Sequence, residues 1–328
     1  MGFRFIVSAC STRFPRLCML LSMVPKRNVI SLICILVTPF AVLTEARADA
    51  DVFVVNSSGG TVGEYTTGGQ VINSSLITDP ITINDPQAIA VSGSNLYVVN
   101  YGNGTISQFT TSGSLVNAAL ISAGPSSGIS GPYSIAVTQQ NIFVGSGHGV
   151  EKFTLSGATV NSTFVTGLSA PRAMTVYGND LFVADSNSGT ITEFDTNTGM
   201  EVGSGPLVSN LFFPTGIAVA NGHIFVLDDQ NIREYTLTGA LMNAQFVSGL
   251  TATPKGLAEY NGTLYETNLT GGTIGEYRES DGTPVGTGTL ISGLQEPFGI
   301  AIVPEPTVGA FLSFGACFSL FMRRRRKS

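Results

Sequence analysis

Few side chains in this sequence can do chemistry, so their placement is informative. Histidine occurs twice, as His148 in GSGHGV and His223 in NGHIFV. Neither has a partner at HxH or HxxxH spacing, so neither reads as a metal ligand. Ser58-Gly59-Gly60 and Gly271-Gly272 have no lysine after them, so they read as turns and not as phosphate loops. The remaining candidates form a series. Asn56, Asn100, Ser146, Asp185, Asp228 and Asn268 each end a short apolar phrase: VFVVN, LYVVN, IFVGS, LFVAD, IFVLD and LYETN. Oxygen side chains brought together suit a hard cation such as Ca²⁺. Isolated, they cap the turns that follow them.

Which of these holds depends on the elements that carry the series. A second phrase, Pro-x-x-Ile-Ala-Val, precedes five of the six. It reads PQAIAV at 86, PYSIAV at 132, PRAMTV at 171, PTGIAV at 214 and PKGLAE at 254, with a sixth copy, PFGIAI, at 297. A third phrase ends in an aromatic, Tyr65, Phe109, Phe153, Phe194, Tyr235 or Tyr277, and a fourth follows a Gly turn. Each phrase has strand length and is rich in β-branched and aromatic residues, with Gly, Asn, Asp and Pro between. Asn103-Gly104, Asn221-Gly222 and Asn261-Gly262 carry hairpin chemistry.

Four strands per repeat make one antiparallel sheet that cannot bury both faces alone. Radial stacking solves this, and the expected fold is an all-β, six-bladed β-propeller over residues 49–303. Blade one lacks an inner strand at its own end of the chain. Residues 297–303, PFGIAIV, are expected to supply it. The alternative is a right-handed β-solenoid, which usually needs shorter and more uniform rungs. In a propeller the equivalent positions lie at one height around the axis, so Asp185, Asp228, Asn100 and Asn268 are the candidate Ca²⁺ ligands. The strict repetition of the series favours capping, because a catalytic group should break the pattern.

The ends differ from this middle. Residues 1–48 hold six basic residues, and Arg323 to Lys327 hold five more. Residues 49–303 hold five basic residues against 20 Asp and Glu, a net charge of −15. Such a surface repels phosphate backbones, so no nucleic-acid partner is expected. Lys26 and Arg27, the apolar run Val29–Leu43 and Ala46-Arg47-Ala48 read as a signal peptide cut beside Ala46 and Ala48, with Met23 a plausible true start. The four cysteines lie outside the middle, at 10, 18, 34 and 317, so no disulfide is expected there.

Val303-Pro304-Glu305-Pro306 leads into TVGAFLSFGACFSLFM and then Arg323, Arg324, Arg325, Arg326 and Lys327. An apolar segment followed by a basic cluster reads as a transmembrane helix held on its cytoplasmic side. Motif, helix and arginines in this order resemble the PEP-CTERM sorting signal. That resemblance implies a Gram-negative bacterium that makes extracellular polysaccharide, and processing by signal peptidase and exosortase. It implies transient anchoring in the membrane and then release to the cell surface or matrix. The repeats resemble NHL and YVTN propellers, most clearly at 171–185 and 214–228, and more loosely gluconolactonase-like propellers. The first likeness implies a non-catalytic binder of polysaccharide or protein. The second implies a metal-dependent hydrolase, or a lyase of the streptogramin-lyase type with a histidine base.

Overall fold

A computed structural model describes residues 49–303, except His148 and Ala252. The expected signal peptide with Ala46 and Ala48, the tail from Pro304 to Arg326, and His148 therefore lie outside the described residues. Within them the chain forms strands and turns only, in six antiparallel sheets. The inner strands are Pro86–Ser92, Pro132–Val137, Pro171–Tyr177, Pro214–Ala220, Pro254–Tyr260 and Pro297–Val303. Each packs against the inner strands of the blades before and after it, and the series closes on itself. This is a six-bladed β-propeller.

Burial explains why each phrase has its composition. The second strands, such as Leu96–Val99, are buried on both faces and read as continuous apolar runs. The third strands bury a residue on each face: Val62 packs on the core toward blade two and Tyr65 on the core toward blade six. The outer strands are exposed for most of their length. The core is six clusters, each shared by two neighbouring blades. One joins Phe53, Val55 and Val62 of blade one to Ile89, Leu96, Val98 and Phe109 of blade two. No blade can bury its faces without its neighbours.

The ring closes as expected. Strand Asp51–Asn56 pairs antiparallel with Pro297–Val303, Val52 opposite Ile302 and Val54 opposite Ile300. Asn221-Gly222 and Asn261-Gly262 are two-residue hairpin loops with φ of 49° and 86°, and 53° and 77°. Positive φ at both central residues is the type I′ requirement. Asn103-Gly104 differs. It belongs to a four-residue loop between Asn100 and Thr105, and only Gly104 has positive φ.

One blade departs from the expected four strands. Blade four has three, and its fourth position is reduced to isolated bridges, Ile191 to Val208 and Phe194 to Glu201. The intervening Gly203-Ser204-Gly205-Pro206 explains this. Both glycines take positive φ, 100° and 142°, and Pro206 has no N–H for a ladder.

Candidate functional site

The series expected to ring the axis stands at one end of the propeller. Asn100, Ser146, Asp185, Asp228, Asn268 and Asn56 lie opposite Pro86, Pro132, Pro171, Pro214, Pro254 and Pro297. Each is buried and committed to its own blade. Asp185 accepts from the backbone N–H of Ala170 and of Ser169, both at 2.7 Å, and from the Ser188 hydroxyl at 2.9 Å. Asp228 Oδ1 accepts from Phe212 and Phe213 N–H at 2.8 Å, and its Oδ2 lies 2.8 Å from Arg233 Nε. Asn100 accepts from Asn84 N–H at 3.3 Å. Asn268 accepts from Gly271 N–H at 2.9 Å and donates to the Thr251 carbonyl.

The turn after the second strand is therefore only part of what these residues hold. Most of them also tie down the segment that enters their own blade, 15 to 17 residues upstream. A third-strand residue completes several pairs: Ser107 for Asn100 at 2.8 Å, Glu151 for Ser146 at 3.0 Å and Arg233 for Asp228. In blade five the first position carries the acid and the third strand the cation; in blade three the third strand carries the acid and the first position the hydroxyl. Among the described residues no three His, Cys, Asp or Glu side chains gather where they could share a metal ion. Ca²⁺ at Asp185 or Asp228 would compete with backbone amides for the same lone pairs. That donor set does not fit an ion that takes about six to eight free oxygens.

His223 is fixed as well. Its Nδ1 lies 2.7 Å from Glu234 Oε1, and its ring stacks on Phe225 at 6.2 Å. Ser58-Gly59-Gly60 and Gly271-Gly272 form turns between strands, as expected.

A second ring escaped the sequence reading. Every inner strand slips register immediately after its proline. Such a bulge sets two residues against one and re-aims a side chain. The residues at the slip are Gln87, Tyr133, Arg172, Thr215, Lys255 and Phe298, one per blade at the same end of the propeller. They are the second letter of the Pro-x-x-Ile-Ala-Val phrase, the place where the repeat does not repeat. That variability was the available signal.

This mouth has a distinct chemistry. The Arg172 guanidinium lies 4.7 Å from the Tyr133 ring centre and 5.6 Å from that of Phe213. Tyr133 stacks on Tyr101 at 4.8 Å. Lys255 Nζ lies 5.3 Å from the Phe298 ring centre. Burial, and then the nearby Arg172 charge, hold the Lys255 ammonium below the usual lysine range. Arg172 Nε is buried without a hydrogen-bond partner among the described residues. Two of the five cations in a region of net charge −15 thus meet at one end, among aromatic faces.

No family model matches the chain, and no curated protein matches it. Solved structures do. A chain in the crystal structure of a nidogen/laminin complex matches with a TM-score of 0.63 at 15% identity, over 77% of this chain and 98% of that one. At that identity the likeness shows the fold alone. The computationally designed Ika8 protein matches with a TM-score of 0.47 at 15% identity, over 72% of this chain and 73% of that one.

Proposed function

We propose that this chain is an exported propeller that reaches the cell surface or extracellular matrix and acts there by binding. Its ligand on this reading is a polysaccharide, or a protein of the same matrix, and no covalent step is involved. The observation that carries the reading is the ring of bulge residues. The repeat builds six equivalent positions at one mouth, and the sequence fills them with six different side chains. Aromatic faces suit the C–H faces of sugars, and paired cations suit carboxylate groups along a polymer. Elsewhere the acidic surface disfavours an anionic polymer, so contact is confined to this end. Asp185 and Asp228, the two carboxylates that would have held a catalytic metal, accept from backbone amides instead.

The address rests on the two termini. The signal peptide would direct export through the inner membrane of a Gram-negative cell, and signal peptidase would remove it. The Pro304-Glu305-Pro306 tail would hold the chain in the membrane until exosortase processed it. Mass spectrometry of protein recovered from the cell exterior tests this. It should begin near Asp49 and lack Arg323 to Arg326. An intact tail on exterior protein would contradict the sorting reading.

A further inference from the structure

The third place of the second-strand phrase is Val54, Val98, Val144, Val183 and Val226 in five blades, all fully buried. In blade six it is Glu266, also buried, with 2% exposure. Its Oε1 has no hydrogen-bond partner among the described residues. A buried polar atom without a partner is costly, and valine would relieve the cost as it does in the other five blades. Such a residue persists where it has a use.

A second departure from the repeat lies beside it. The outer strand of blade six, Pro284–Ser292, has nine residues, against seven or eight in blades one, two, three and five. It carries Gly286 and Gly288 at φ 59° and 78°. The register slips between Tyr277–Pro284 and Gly275–Thr289, and the strand opens there. The result is a cavity of about 530 Å³ between blades five and six, lined by Glu266 and by hydroxyl groups that include Ser248, Thr273, Thr289 and Tyr277. Gly275 stands opposite Glu266, and a Cβ there would come within 2.8 Å of Glu266 Oε2. The glycine leaves room for the carboxyl.

We propose that this cavity is a binding site for one uncharged sugar unit, held by Glu266 and the surrounding hydroxyl groups. The chemistry selects that class. No Lys or Arg lines the cavity, so it has nothing for an anion. The titratable groups around Glu266 are Tyr277 from the third strand and Asp281 from the following turn, while the inner strand opposes it with Leu257. Burial pushes the Glu266 carboxyl up to about 8, so at neutral pH it is an acid that can donate as well as accept. A donor and acceptor among hydroxyls matches a polyol, while a cation would need ionised carboxylates. None of the six bulge residues of the mouth lines it.

The test is ligand-observed NMR on the full chain with glucose, galactose, mannose and N-acetylglucosamine, and with glucuronate as the charged counterpart. With the mouth disabled by Arg172→Ala and Lys255→Ala, at least one neutral sugar should bind below neutrality, and glucuronate should not. Above pH 8, affinity should fall about tenfold per pH unit as the proton is lost. Glu266→Val should abolish binding while folding normally, as five sister blades show. Glu266→Gln should retain binding and lose the pH dependence. Failure of every neutral sugar to bind in that background, or survival of the binding there when Glu266→Val is added, would overturn the proposal.

Discussion

A chain ending at Glu296 should not hold the propeller fold, while one ending at Val303 should melt like the full chain. The strand lost, Pro297–Val303, is the inner strand of blade one. It serves two clusters at once. Phe298, Ala301 and Val303 pack on the core between blades one and two, and Ile300 and Ile302 on the core between blades six and one. Removing it exposes both and leaves Asp51–Asn56 as an open edge beside the axis. Several apolar side chains at about 1.5–3 kcal/mol each rival the roughly 5–15 kcal/mol that holds a typical domain. Past Val303, Pro304 and Pro306 cannot extend the ladder. Thermal melting of the two truncations reads the difference. Equal stability would refute the shared blade.

The second large effect is a loss of stability as pH rises from mildly acidic to mildly alkaline. Burial pushes Glu266 up to about 8 and Glu151 up to about 7, the latter partly offset by its bonds from Ser146 and its own backbone. Both values lie above the unfolded carboxyl value of 4.5. The folded chain therefore keeps protons that the unfolded chain has released. The contribution of these groups is full below about 4.5 and declines as pH rises to 7 for Glu151 and 8 for Glu266. The slope is about 1.4 kcal/mol per pH unit for each group. Glu266→Val should stabilise the fold more at pH 8 than at pH 4, by roughly 1–4 kcal/mol. Asp79, Asp195 and Asp281, each in a turn region, work oppositely. Turn hydrogen bonds hold them below the usual range, and their contribution is lost only on acidification. Denaturant melts across this range test the slope. A wild-type curve that is flat from pH 5 to 8 would contradict it.

The fold was legible because its energetics are written locally. A second strand buried on both faces must be a run such as LYVVN, and an outer strand need not be. Even closure by 297–303 was visible, since a sixth inner phrase had no second strand after it. Blade four was legible in part: GSGP could have warned that no fourth strand would form. The Asp and Asn series was less legible. Its residues reveal their role through amides 15 to 17 positions upstream, a distance that no turn motif covers. The mouth and Glu266 were hidden for a different reason. Repeat analysis attends to what recurs, and both lie where the repeat varies: the letter after each proline, and one Glu among five Val. A bulge also leaves no mark in composition, so nothing showed that the variable letter was turned toward the axis.

The claim at the centre of this account is that the repeat supplies a scaffold and its exceptions at the axial mouth supply the binding. Surface plasmon resonance with exopolysaccharide from a Gram-negative bacterium, the source proposed above, tests it most directly. The full chain should bind, and added salt should weaken the complex. Arg172→Ala with Lys255→Ala should bind at least about tenfold more weakly at an unchanged melting temperature. Absent binding by the unmodified chain, or equal binding by the double variant, would contradict the account.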